Sequence, residues 1–122
     1  EDIVELIYTP PYQSFDMPPS LSVTYNRATK VFEYVYSSHW GGTYVMPDKI
    51  IAEFKKFLDV TNNILFVLNR EQDGPERRMG AHWVNDYLDI KWNGHQRQIQ
   101  LNTGSEIGGL CNRAVHFARK VE

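Results

Sequence analysis

The stretch from Leu21 to Leu58 constrains the fold most, because a β-hairpin pattern is followed there by an amphipathic helix pattern. Apolar and polar residues alternate in 21–25 and again in 30–36, and a polar Asn-Arg-Ala-Thr segment separates the two runs. With residues 26–29 as the loop, the predicted opposed pairs are Tyr25 with Lys30, Val23 with Phe32, and Leu21 with Tyr34. The sequence therefore predicts an antiparallel hairpin with one apolar face.

That apolar face is large and mostly aromatic, so another element has to cover it. It consists of Leu21, Val23, Tyr25, Phe32, Tyr34 and Tyr36. A helical pattern that can supply the cover follows, with an apolar side made of Ile50, Ile51, Phe54, Phe57 and Leu58. Pro47 and Asp48 suit the first turn of this helix, and the polar residues 61–63 predict its end. For the apolar run 64–68, strand and helix both remain open.

Asn93-Gly94 gives the clearest turn signal, because this pair is preferred in two-residue type I′ hairpin turns. Residues 87–92 and 95–101 flank it as strands. On the apolar face, the predicted pairs are Leu88 with Ile99, Ile90 with Arg97, and Trp92 with His95. On the other face, which we expect to be solvated, the pairs are Tyr87 with Gln100, Asp89 with Gln98, and Lys91 with Gln96.

A second amphipathic helix is predicted after Ser105, a residue that suits the N-cap position. Its apolar stripe consists of Ile107, Leu110, Cys111, Ala114, Phe117, Ala118 and Val121. Arg119 and Lys120 are expected near its C-terminus, where cations suit the helix dipole. In this interpretation Cys111 is a small core residue.

The order of elements is strand, hairpin, helix, hairpin, helix, starting from the β-branched run at 3–8. We predict an α+β fold in which an antiparallel sheet has one solvated face and two helices packed on the other. The 122 residues have the size of a single domain, 1–122, with a core of its own.

Charge and composition disfavour some classes of partner. The formal net charge of −2 disfavours nucleic acid, because duplex-binding domains normally carry a basic excess. No apolar run approaches the roughly 20 residues of a membrane span.

The single cysteine, Cys111, excludes an internal disulfide, so secreted, periplasmic and cytoplasmic locations are all open. The sequence starts at Glu1 rather than Met, which is compatible with processing or with a longer parent chain.

Two segments lack a regular period. Residues 10–19 are rich in proline and hold the apolar side chains of Tyr12, Phe15 and Met17. These side chains can plug one end of the core, or the segment can be a proline-stiffened recognition loop. Residues 69–85 form the longest aperiodic segment, and loops of that length inside a compact domain are usually functional or disordered.

The residues that could carry chemistry lack the spacing that catalytic and metal sites need. No zinc-type spacing relates the histidines His39, His82, His95 and His116. No EF-hand order relates the carboxylates Glu71, Asp73 and Glu76, and neighbouring arginines balance their charge. Burial on an apolar stripe does not activate a thiol such as Cys111. We therefore expect no metal, no cofactor and no catalytic activity.

Recognition of another protein is the function that the remaining residues favour. Tryptophan, tyrosine and arginine dominate the contact energy of protein interfaces, and residues 37–43 and 69–85 carry such side chains among polar neighbours. The predicted partner-binding residues are His39, Trp40, Arg77, Arg78, His82 and Trp83. The alternative for Trp40 and Trp83 is that each packs over the open end of the sheet.

Three runs in this order of elements resemble those of a group of small bacterial domains. They are Glu5-Leu6-Ile7-Tyr8-Thr9-Pro10, Thr43-Tyr44-Val45-Met46-Pro47 and Leu88-Asp89-Ile90-Lys91-Trp92-Asn93-Gly94. The group includes emfourin-like metalloprotease inhibitors and related secreted or lipoprotein domains. The resemblance covers most of the chain as a pattern of elements and carries over no site residue. It implies a non-catalytic, protein-binding role.

Two functions are open at this point. The first is a protein-binding module (an inhibitor, an immunity protein or a secreted accessory protein) that uses residues 37–43 and 69–85, as a monomer or a homodimer. The second is a small ligand-binding domain or enzyme, with a pocket between sheet and helix that is lined by Tyr25, Tyr34 and Tyr36. A core fully packed between these tyrosines and Phe54 and Phe57 would exclude the second function.

Overall fold

The computed structural model describes residues 2–13, 19–38, 40–69, 78–79, 82–83, 86–101 and 105–121, with the backbone alone for 12–13, 78–79 and 82–83. The strands are β1 (Ile3–Thr9), β2 (Tyr12–Gln13), β3 (Ser20–Asn26), β4 (Val31–Ser37), β5 (Thr43–Val45), β6 (Arg78–Met79), β7 (His82–Trp83), β8 (Tyr87–Trp92), β9 (His95–Gln100) and β10 (Arg119–Val121). The helices are α1 (Asp48–Leu58), α2 (Thr61–Leu68) and α3 (Glu106–Phe117).

The main sheet has the strand order β4-β3-β1-β8-β9, and every neighbouring pair is antiparallel. β1 lies in the centre, between the two predicted hairpins. Buried residues alternate with more accessible ones along β1 and β3, because one face of the sheet packs on the helices while the other faces solvent. The predicted α+β class with an antiparallel sheet is confirmed.

The core lies between the inner face of the main sheet and the helices. Its largest fully buried side chains include Tyr8 and Tyr25 from the sheet, Phe54 from α1 and Ile64 from α2. On β4, Phe32 packs on Phe54 with the two ring centroids 5.5 Å apart. The helix that the sequence predicted thus packs on the apolar face of the first hairpin.

The second hairpin has the predicted register at every pair. Asn93 and Gly94 both have positive φ, at 52° and 78°, as a type I′ turn requires. Trp92 is 9% exposed and belongs to the core, as expected. On the outer face, Gln100 differs from the prediction, since its side chain is buried.

Two glycine-to-alanine substitutions are expected to change stability in opposite directions. Gly94→Ala forces an alanine into the left-handed region and should cost about 1–2 kcal/mol. Gly109→Ala lies within α3, where an added Cβ meets nothing within 4 Å, and should gain up to about 1 kcal/mol from helix propensity. Urea unfolding of the two variants beside the parent protein measures both effects. A stabilised Gly94→Ala protein would contradict the turn geometry.

The predicted register of the first hairpin is wrong by two residues. The observed pairs are Tyr25 with Phe32, Val23 with Tyr34, and Leu21 with Tyr36. The loop is 27–30 instead of 26–29, because the Asn26 side-chain oxygen accepts hydrogen bonds from the backbone N–H groups of residues 28–29. Lys30 closes this loop in the left-handed conformation, with φ 63°. A shift of two leaves each side chain on its predicted face.

The covering layer contains one helix more than predicted within the described residues. α1 ends at Leu58, and α2 begins at Thr61 after Val60, whose backbone is extended at φ −94° and ψ 109°. Residues 64–68, for which strand and helix were both open, are therefore helical. The polar residues 61–63 start α2 instead of ending α1.

The last helix is shorter than predicted. α3 ends at Phe117, and Ala118, at φ −61° and ψ 135°, leads the chain into β10, which pairs with β5. The stripe is buried at Ile107, Leu110, Cys111 and Ala114. Phe117 and Val121 are about half exposed, with 52% and 50% of their surfaces accessible. Arg119 and Lys120 consequently lie on a strand, where pairing with β5 replaces helical hydrogen bonds.

Asp59, directly after α1, links that helix to the first hairpin. Its Oδ1 accepts hydrogen bonds from the Tyr25 hydroxyl and the Lys30 ammonium, both at 2.8 Å. Its backbone carbonyl accepts a further hydrogen bond from the Arg27 guanidinium at 3.0 Å. The hydrogen bond from Lys30, followed by that from Tyr25, holds the pKa of the Asp59 carboxyl below its usual 3.8.

Stability is expected to fall in acid as Asp59 becomes protonated. Because the pKa of Asp59 is lower in the folded than in the unfolded chain, its stabilisation is complete above about pH 4 and is lost as the pH falls through the folded-state pKa. Asp59→Asn should remove this contribution and flatten the acid slope of the unfolding free energy. Urea unfolding of both proteins across this range provides the test, and identical acid slopes would contradict the assignment.

Candidate functional site

The segments without a regular period, which the sequence suggested for recognition, connect to the same end of the main sheet. The strands meet that end at Thr9, Ser20, Ser37, Tyr87 and Gln100, which lie side by side in the register. We call this the loop end. The connections 10–19 and 38–42 leave the sheet here, and the segment 69–86 reaches it here at the start of β8. The opposite end carries the two hairpin turns, so both predicted recognition segments meet the sheet at one end.

A small antiparallel sheet joins two of these connections. It has the strand order β2-β7-β6, and its register places Trp83 between Tyr12 on one side and Arg78 on the other. His82 lies between Gln13 and Met79 in the same way. Three predicted partner-binding residues are therefore fixed along the backbone of one sheet. The sequence predicted a loop at 69–85, because strands of two residues are too short to show an alternating pattern.

Among the large apolar residues whose side chains the structure describes, Trp40 is the most exposed, at 82%. It occupies the turn between β4 and β5, where its backbone N–H donates to the Ser38 hydroxyl at 3.1 Å. Gly41 and Gly42 follow with φ values of 71° and 93°, which a residue with a Cβ adopts only with strain. A Cβ at Gly42 would lie 2.6 Å from the Lys120 side chain of β10. The turn thus presents the Trp40 ring to solvent instead of packing it over the sheet.

The remaining predicted contact residues are described less fully. His39 and Arg77 lie outside the described residues. For Arg78, His82 and Trp83 the described structure is the backbone and its pairing. The structure thus places four of the six predicted residues, and the connectivity of the chain brings all four to the loop end.

A shallow apolar groove, which the sequence did not predict, lies between α1, α3 and β10. Its volume is about 410 Å³, and it is lined by Pro47, Lys49, Ile50, Glu53, Arg113, Phe117 and Arg119. The Arg113 guanidinium donates to both carboxylate oxygens of Glu53 at 3.2 Å. The groove exists because the chain becomes extended at Ala118 and continues as β10, which pairs with β5. No residue pattern in the sequence indicates this change of direction.

The tyrosines named for the alternative pocket are used within the fold. Tyr25 is fully buried, and its burial and its hydrogen bond to Asp59 raise its pKa to about 12. The Tyr34 hydroxyl accepts a hydrogen bond from the Met46 backbone N–H at 2.9 Å. Tyr36 packs edge-on against Tyr44, with ring centroids 4.9 Å apart, and burial raises its pKa as well. Raised pKa values make the Tyr25 and Tyr36 hydroxyls harder to deprotonate, which disfavours their use as general bases.

Cys111 is buried, as the helical stripe predicted. Burial in apolar surroundings, followed by the charge of Asp86, raises the pKa of its thiol far above the ordinary value. The thiolate needed for nucleophilic attack is therefore suppressed.

Within the described parts of the chain, no three His, Cys, Asp or Glu side chains are arranged to hold a metal ion. The carboxylates Glu71, Asp73 and Glu76 lie outside those parts. Over the same described ranges, none of the helices has the length and apolar content needed to cross a bilayer.

Comparison with known proteins adds no identity. Neither protein-family models, nor curated proteins, nor solved structures gave a match to this chain. The resemblance to emfourin-like inhibitors therefore stays a prediction.

Proposed function

We propose that this chain is a non-catalytic protein-binding module that contacts its partner through the loop end. The observation that carries the proposal is the presentation of Trp40, 82% exposed, at the end of the sheet where the Arg78–Trp83 pair also lies. The contact surface comprises residues 37–43 and 69–85. The partner is a single protein, and the resemblance stated above suggests an inhibitor, an immunity protein or a secreted accessory protein.

The architecture suits recognition because connecting segments at one end of a rigid sheet can form a continuous surface. A standard protein interface takes about 800 Å² from each partner, which requires more than one segment of this chain. The turn at 38–42 and the strands β6 and β7 supply separate segments that are tied to the same end.

Composition suggests where the contact energy lies. Exposed tryptophan and neighbouring arginine residues are the usual energetic anchors of interfaces, and desolvation of an exposed indole on binding is strongly favourable. Trp40 meets this condition in the free chain, since most of its surface is accessible. The net charge of −2 makes nucleic acid a poor candidate for the partner.

The test is quantitative binding of a partner recovered by affinity capture with the full chain as bait. Trp40→Ala and Trp83→Ala are each expected to weaken the recovered complex by at least about tenfold, the size typical of an interface anchor. Phe66→Ala is the matched control, because Phe66 is also a highly exposed aromatic, at 71%, but lies on α2.

The results of these binding measurements can support or overturn the site at the loop end. Loss of binding in the two tryptophan variants but not in the control supports a site at the loop end. Unchanged affinity in both tryptophan variants, with circular dichroism showing a folded chain, would overturn the assignment. Catalytic turnover of the recovered partner by the chain would overturn the non-catalytic role.

A further inference from the structure

The two edges of the main sheet differ in a way that points to self-association. The edge strands are β4 and β9, and neither has a second neighbour within the described residues. Unpaired strand edges recruit other strands unless a protective feature, such as an inward-pointing charge, blunts them. β9 has such a feature, since Arg97 lies on the inner face and donates to the Leu68 carbonyl at 2.9 Å. β9 is otherwise mostly polar.

β4 has no inward-pointing charge, because its inner face carries Phe32, Tyr34 and Tyr36. It pairs with β3 at all seven positions without a bulge. Its sequence, Val-Phe-Glu-Tyr-Val-Tyr-Ser, has no lysine and no proline, and Glu33 is its single charge. On its outer face Val31 and Val35 are 51% and 64% exposed. A long, regular, apolar edge of this kind is a site for pairing with another strand.

The inner side of β4 is only partly covered, by Phe54 of α1 against Phe32 and by Tyr44 of β5 against Tyr36. Leu21, Val23 and Tyr25 on β3 are at most 2% exposed. The residues opposite them, listed by register, are Tyr36, Tyr34 and Phe32, which are only partly buried. A further strand beside β4 would shield this aromatic row from solvent, which favours association through apolar burial.

We propose that β4 pairs with β4 of a second copy of this chain, antiparallel and centred on Tyr34, to form a continuous sheet across a symmetric dimer. In this register Tyr34 lies opposite its own copy, Phe32 opposite Tyr36, and Glu33 opposite Val35. An isologous contact of this kind follows two-fold symmetry. The register matches aromatic with aromatic residues and places each Glu33 opposite a valine instead of the other Glu33.

The dimer places the two proposed partner sites at opposite ends of the continuous sheet. Because the two β4 strands run in opposite directions, the loop end of one copy lies beside the hairpin turns of the other. The two loop ends then point away from each other, and each copy keeps its own candidate partner site. The dimer and the partner-binding function can therefore fail or hold separately.

The experiment is sedimentation velocity of the full chain over a range of concentrations. The unmodified chain is expected to shift from monomer to dimer as concentration rises. Val35→Glu puts a like charge opposite Glu33 twice in the dimer and should weaken dimerisation about tenfold. Val35→Lys puts an opposite charge there and should preserve or strengthen the dimer. Both substitutions are on an exposed position, so both proteins should fold.

The two variants of opposite charge, Val35→Glu and Val35→Lys, distinguish this register from non-specific association of an apolar edge strand. Equal weakening by Val35→Glu and Val35→Lys would overturn the register. A monomer at every concentration, up to the solubility limit, would overturn the dimer. As a second readout, Glu33→Cys mixed with Val35→Cys should form a mixed disulfide faster than either forms with itself, and preference for like pairs would also overturn the register.

Discussion

Phe54→Ala is expected to lower the free energy of unfolding by about 3–5 kcal/mol, one of the largest effects that a single truncation can have in this fold. Phe54 is fully buried on α1 and packs on Phe32 of the edge strand. Its removal leaves a cavity between the helix and the first hairpin, and the sheet cannot close that gap without moving α1. Urea unfolding at equilibrium provides the measurement.

Phe66→Ala is the control for this prediction, since Phe66 is 71% exposed on α2. Its truncation removes a similar side chain without opening a cavity and should change stability by no more than about 0.5 kcal/mol. A Phe54→Ala protein as stable as the control would mean that α1 does not cover the first hairpin.

Tyr8→Ala is the second large effect, again expected at about 3–5 kcal/mol. Tyr8 is fully buried at the centre of the sheet, between Leu21 of β3 and Leu88 of β8. Its hydroxyl donates to the Asp86 carboxylate at 2.8 Å, just before β8 begins. Truncation therefore removes core packing and a hydrogen bond that connects β1 to the loop end.

Tyr8→Phe separates the two contributions. The ring stays in the core, but the Asp86 carboxylate loses a donor, and a hydrogen bond to a charged group is worth about 1.5–3 kcal/mol. Burial, followed by the hydrogen bond to Asp86, raises the pKa of Tyr8 well above its usual value, so the donor proton is retained at any ordinary pH. Equal unfolding free energies for Tyr8→Phe and the parent protein would show that the bond contributes nothing.

The two hairpins show which sequence signals determine a register. Asn93-Gly94 fixes a two-residue turn, so every pair of the second hairpin follows from it. In the first hairpin the boundary of a four-residue loop depends on the Asn26 side chain and on Lys30 in the left-handed region, which lysine rarely adopts. The face on which each side chain lies was nevertheless predictable, because side chains alternate along a strand with a period of two and a register shift of two residues leaves that alternation unchanged.

The helices and the candidate site were predictable to different extents. Ser105 caps α3 as expected, its hydroxyl accepting a hydrogen bond from the Gly108 N–H. The break at Val60 and the departure at Ala118 depend on tertiary contacts, namely the Asp59 cluster and the pairing of β10 with β5. Residue types suggested contacts at Trp40 and Trp83. Their common position at one end of the sheet follows from strand order, which local patterns do not encode.

The central position of β1 also determines how this chain must fold. Each hairpin is local in sequence and can form quickly by itself, whereas β1 has to insert between them. The hydrogen bond from the Tyr8 hydroxyl of β1 to Asp86, the residue before β8, joins two residues that are 78 positions apart in the chain. Closing so long a loop costs entropy before any contact repays it. The pairing of β1 with β8 should therefore be the slow step, and substitutions at that seam should slow folding more than substitutions within either hairpin.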